Sequence, residues 1–173
     1  LLEQWEAARP LAADYAVVGL GASRVAVVDG GTGEEADRFR AEVERRGAEI
    51  VAFGAAERDG AGIDAVLSAA VSREAGVVYV AGDAEVAALV ARRLAGTGLP
   101  ARLVGGVNLR SEDFMTAAGT AADGAVAVVE PRVCDYHAPG ARTGQRPALA
   151  ELLWRHPEMG EAEIKVPIAA YAG

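Results

Sequence analysis

Residues 24–33 read RVAVVDGGTG: an apolar run, then the acidic Asp29, then a glycine-rich corner. A charged amphipathic segment from Glu34 to Arg46 follows. A short Val/Ala run without polar alternation describes a strand covered on both faces, as the strands of a parallel sheet are. In the next segment Ala36, Phe39 and Val43 recur at helical spacing opposite a face of Asp, Glu and Arg, which predicts a covering helix closed by Gly47. In open α/β sheets ligands occupy the crevice outside the carboxyl ends of the strands. Asp29, Gly30, Gly31 and Thr32 therefore stand where binding is expected.

Moving outward, the same unit recurs. Downstream, EIVAF (49–53) reads as a strand, Gly54–Gly62 as a loop, and Ile63, Val66, Leu67, Ala70 and Val71 as a helical face. Val77–Val80 is a third strand ending at Ala81-Gly82-Asp83, and Asp83 is placed to cap a helix with buried face Val86, Leu89, Val90 and Leu94 and a stop at Gly96. Ala101–Val104 is a fourth strand, followed by Gly105-Gly106-Val107-Asn108 and a short helix capped by Ser111. Gly124–Val129 is a fifth strand. Upstream, Trp5, Leu11, Ala12, Tyr15 and Val18 recur near helical spacing within Leu2–Val18, interrupted at Pro10, which starts the helix proper in its first turn, with Gly19 and Gly21 as the stop. Strand and helix alternate about five times with short connections. That pattern predicts an α/β fold with a doubly wound, mainly parallel sheet of about five strands and right-handed crossovers. The regular domain is expected over residues 1–131. From Arg132 to Pro147 no period survives; Ala148–Trp154 suits a helix, and the apolar end IAAYAG carries no closing cap, as if the chain continued.

Composition narrows the function. The 173 residues suffice for one self-supporting core, burying roughly 70% of the unfolded surface. The net charge of −8, with 16 arginines scattered and a single lysine, Lys165, argues against a nucleic-acid partner. Cys134 is the only cysteine, so an internal disulfide is excluded. No apolar run approaches the roughly 18 residues of a membrane span, and LLEQWEAARP is charged too early for a signal peptide.

Motifs that would indicate chemistry fail on context. Gly19-Leu20-Gly21 opens like a dinucleotide fingerprint, but Arg24 occupies the third glycine position and the glycines precede a strand. Asp29 and Asp83 suggest a phosphorylatable receiver, which requires a lysine near the fifth strand that the chain lacks. Cys134, Asp135 and His137 form one loop cluster; with His156 the only other histidine, a closed zinc site is not expected. We expect no catalytic residue, no metal and no cofactor. Thr32, Asp83 and Asn108, with the glycine turns Gly30-Gly31 and Gly105-Gly106, form the expected ligand-binding set, converging at one sheet edge. The same residues also suit helix caps and a turn.

Four stretches carry a resemblance: LAADYAVVGLGASRVAVVDGGTG (11–33), RGAEIVAF (46–53), AGVVYVAGDAEVAALVARRLAGTGLPARLVGG (75–106) and EDFMTAAGTAADGAVAVVEP (112–131). In this order and spacing the sequence resembles the type 1 periplasmic binding proteins, specifically the branched-chain amino acid (Leu/Ile/Val) binding family of ABC importers, and only their second lobe. The resemblance implies a small-molecule ligand held against a first lobe outside this chain, an ABC permease as partner, and an extracytoplasmic location. It also implies that residues 132–173 are a crossover linker and the start of a return segment. At the family's contact positions this sequence departs: where a Thr-x-Tyr-Gly pattern is usual, Thr32 is kept but Gly33-Glu34 follows, Asp83 replaces an aromatic, and Val107 replaces an acidic residue.

Overall fold

The structure, a computed structural model, describes residues 9–31 and 33–128. The chain divides into two units, Leu1–Val128 and Val129–Gly173. Thr32, the Cys134–His137 cluster and the expected crossover and return segment lie outside the described residues.

Within the first unit the elements alternate as the sequence predicts. Helix α1 (Arg9–Asp14) runs into a wider π-type turn, Tyr15–Gly19; then come β1 (Arg24–Gly30), α2 (Glu34–Arg45), β2 (Glu49–Ala55), α3 (Ile63–Ser72), β3 (Val77–Gly82) and α4 (Ala84–Thr97). Strand β4 (Arg102–Gly105), α5 (Glu112–Ala118) and β5 (Val126–Ala127) complete it, with short 3-10 turns on either side of α5. The sheet order is β2-β1-β3-β4-β5, and every neighbouring pair is parallel. This is the expected α/β, doubly wound sheet of five strands.

Two cores explain why the strands show no polar alternation. Val25, Val27, Val77, Tyr79 and Val104 pack with Ala12, Ala13, Ala36, Phe39 and Val43 on one face of the sheet. Ala26, Val28, Val78 and Val80 pack with Ile63, Val66, Leu67, Val86, Val90 and Phe114 on the other. Successive residues of a strand point to opposite faces, and here both faces are covered, so each position must be apolar. Burying one such valine contributes on the order of 1.5–3 kcal/mol.

Several boundaries differ from the expectation, each for a local reason. Val18 is 75% exposed rather than part of the buried face, because the wide turn at Tyr15–Gly19 inserts backbone and rotates it outward; Ala12, Ala13 and Ala16 carry that face. Val71 also lies outside its predicted face, 39% exposed beside the end of α3. Helix α4 continues through Gly96 and stops at Gly98, whose φ of +71° is the left-handed conformation that ends helices. Among the described residues strand β5 pairs over two, Val126 and Ala127; Val129, the last of the six predicted, lies outside them.

Candidate functional site

Strands β1, β3 and β4 lie side by side, and their carboxyl ends fall at Gly30, Gly82 and Gly105. From β1 the chain builds outward to β2, then returns to add β3 on the opposite side. This reversal opens the crevice in which doubly wound folds bind ligands.

Glycine is required at this rim by close backbone approach. Gly30 and Gly82 are partners in the parallel ladder. A Cβ on Gly82, whose φ is +120°, would lie 2.7 Å from the carbonyl carbon and oxygen of Gly30. A Cβ on Gly30 would strike Val86 of α4 at 2.5 Å. The turn that follows is shaped by Asp29, whose Oδ1 accepts the Gly31 N–H at 2.9 Å. Gly33, at φ +87°, then turns the chain into α2.

The first turn of α2 carries Glu34, Glu35 and Asp37. Glu35 reaches toward the ends of the strands: the hydroxyl of buried Tyr79, in β3, donates to its Oε1 at 2.8 Å. Tyr79 is fixed in turn by stacking on Phe39 of α2, with ring centroids 3.6 Å apart and planes 6° from parallel. Beyond β4, a Cβ placed on Gly106 would lie 3.6 Å from Asn108 Oδ1 and 3.7 Å from Glu35 Oε1. Asn108 Nδ2 is buried without a hydrogen-bond partner among the described residues, whereas the neighbouring Val107 is 70% exposed.

Of the seven residues singled out from sequence, Gly30, Gly31, Gly105, Gly106 and Asn108 lie at the ends of strands β1 and β4, on either side of β3. Thr32 lies outside the described residues. The carboxylate of Asp83 serves another purpose: Oδ1 accepts the Val86 N–H at 3.0 Å as the cap of α4. Its Oδ2 stands 3.5 Å from Arg58 Nη2, beside a shallow depression of about 570 Å³ lined also by Glu85, Glu112, Asp113 and Thr116. Two residues at the rim escaped the sequence reading. Tyr79 reads as one more apolar strand residue, and Glu35 as part of a solvated helix face. The usable signal was the pairing of a lone aromatic hydroxyl in an otherwise aliphatic strand with an acid in the first turn of the covering helix. Among the described residues no group of three His, Cys, Asp or Glu is arranged to hold a metal ion, and no helix is long and apolar enough to cross a membrane.

No protein-family model matches the sequence, and no curated protein matches it. Solved structures do. A protein assigned to branched-chain amino acid ABC transport in Rhodospirillum rubrum is 25% identical with a TM-score of 0.61, over 94% of this chain and 44% of that one. The leucine-binding protein LivK of Thermotoga maritima is 16% identical at a TM-score of 0.61, over 94% and 45% of the two chains. An ABC transporter solute-binding protein of R. palustris, solved with benzoate, is 15% identical at a TM-score of 0.59, over 95% and 43%. The chain thus spans less than half the length of these proteins. The fold of this chain is that of one lobe of type 1 periplasmic binding proteins, and the solved structures it resembles include branched-chain amino acid binding proteins of ABC transporters and one solved with benzoate.

Proposed function

We propose that this chain is the second lobe of an extracytoplasmic solute-binding protein that captures a small polar molecule and presents it to an ABC permease. The observation that carries this reading is the rim itself. The carboxyl ends of three adjacent parallel strands meet there; Gly30 lets α4 pack against the end of β1, and the glycines at Gly31 and Gly106 leave a ligand room to approach the backbone. Asn108 stands beside them as a polar contact. No bond is made or broken; a ligand that touches two lobes favours their closed arrangement by its differential affinity for it. A half-site supplies only part of that affinity. Differential scanning fluorimetry across a metabolite panel tests the reading. The two-lobed protein containing this chain should gain thermal stability with at least one compound, whereas the 173-residue chain alone should bind it weakly. Saturable micromolar binding by the single lobe would count against it.

A second reading is favoured by one observation: Val107 and Gly33-Glu34 stand where the family has an acid and an aromatic. In that reading the lobe senses a ligand within a receptor or regulator. A lipoprotein leader in the adjoining chain supports transport; a kinase or DNA-binding segment supports sensing.

A further inference from the structure

We propose that residues 56–62 form a strap across the carboxyl ends of β1 and β3, anchored at Gly60 by Arg93 and latched at its tip by Arg58 on Asp83, and that the tip exchanges between a closed and an open position. The latch belongs to the lobe itself; only its bearing on ligand entry rests on the rim reading above.

The strap joins β2 to α3. Strand β1 lies between β2 and β3 in the sheet, so a contact from the exit of β2 to the exit of β3 must pass the end of β1. Neighbouring strands stand about 4.8 Å apart, which makes that span roughly 10 Å. At its start the Ala56 N–H donates to the Asp29 carbonyl at 2.7 Å. At its finish Gly62 has φ +86°, and a Cβ there would collide with the Ala55 carbonyl oxygen. Between these points the chain turns on itself: the Glu57 N–H donates to Ala61 O at 3.1 Å, the Gly60 N–H to Glu57 O at 2.8 Å and the Ala61 N–H to Asp59 Oδ1 at 2.8 Å.

Two arginines meet this turn on unequal terms. Arg93, on α4, donates from Nη1 to the Gly60 carbonyl at 2.6 Å and pairs with Asp64 at 3.2 Å, with its side chain 31% exposed. Arg58, at the tip, is 81% exposed and stands 3.5 Å from Asp83 Oδ2. An exposed pair of that kind shifts an equilibrium by no more than about fivefold, so the tip opens while the anchor holds. The latch is nonetheless directed. Among the described residues Arg58 is the one cation lining the depression of about 570 Å³, where Asp83, Glu85, Glu112 and Asp113 supply four carboxylates. Closed, Arg58 walls that depression on the side of β2; released, it leaves the depression open and strongly acidic.

The test is heteronuclear NMR of the uniformly 15N-labelled 173-residue chain without ligand, as salt rises from about 0.01 M to about 1 M and the Debye length falls from about 30 to about 3 Å. The Glu57 and Asp59 amide signals should move with salt toward the positions they hold in D83N, while those of Gly60 and Ala61 stay in place. Asparagine caps a helix as well as aspartate does, so D83N removes the charge that holds the latch and keeps the cap of α4. In D83N, and in R58Q, which touches no cap, the salt response of Glu57 and Asp59 should be lost. R93Q should displace the Gly60 and Ala61 signals as well. If Glu57 and Asp59 respond to salt in D83N and R58Q as they do in the parent, there is no latch; if Gly60 follows Asp59 in the parent, Arg93 is no anchor. Either result overturns the proposal, and neither bears on whether the rim binds a ligand.

Discussion

Replacing Gly82 by alanine probes the contact on which the rim depends. The new Cβ would lie 2.7 Å from the carbonyl carbon and oxygen of Gly30 and 3.0 Å from its Cα, all backbone atoms that cannot rotate away. At φ +120° the alanine would also occupy backbone space that L residues avoid, at a cost of about 1–3 kcal/mol. Relief requires β1 and β3 to separate at their ends, weakening ladder hydrogen bonds worth roughly 0.5–1.5 kcal/mol each. The stiffer unfolded chain returns about 0.4–1 kcal/mol. The balance is a destabilisation of about 3 kcal/mol, or about 6–12 °C in Tm for a chain of this size. Gly96→Ala is the control. Gly96 lies inside α4, and a Cβ added there would meet no described atom within 4 Å, so alanine should stabilise by up to ~1 kcal/mol. Urea titration followed by circular dichroism reads both variants. A G82A protein within about 1 kcal/mol of the parent at unchanged m-value would refute the argument that backbone contact between Gly30 and Gly82 forces glycine at this rim.

Other expectations follow from the same geometry. Asp83→Ala removes the side chain that accepts the Val86 N–H and should cost about 1 kcal/mol by denaturant titration, little of it from the exposed pair with Arg58. Phe114→Ala should cost about 3–5 kcal/mol, since this ring is 1% exposed in the core between α5 and the sheet; a loss below about 1 kcal/mol would contradict that placement. Hydrogen bonds from Arg45 and then Arg46 hold the Glu42 carboxyl below its ordinary range. A group whose native pKa is depressed stabilises the fold above its unfolded value and loses that contribution as pH falls through the native one. Solvent screening makes the effect small, and acid titration of E42Q against the parent should show a difference in stability that fades below about pH 4.

The fold was legible because its signals are local and repeated. Runs such as Val77–Val80 and Arg24–Val28 have no polar alternation, and that alone implies cover on both faces. Ser111 and Asp83 were readable as caps, since a cap depends on residues three positions away: Ser111 Oγ accepts the Phe114 N–H at 3.1 Å. The boundaries that moved depend on more than local sequence. Gly96 and Gly98 are equivalent as text, and only the backbone shows which one turns left-handed. The rim was half legible. Glycines after strands flagged Gly30, Gly31 and Gly106, but Glu35 becomes distinctive only when Tyr79, far along the chain, is brought under it by the pairing of β1 with β3.

The order of the strands also constrains how the protein is made. Strand β1 is flanked in the sheet by β2 and β3, both of which follow it in the chain. As the polypeptide emerges from the ribosome, Arg24–Gly30 must therefore wait, apolar and without its full set of lateral partners, until residue 82 has cleared the exit tunnel. Chaperone capture or premature aggregation should act on that nascent interval, and arrest of synthesis just before and just after β3 would bracket it.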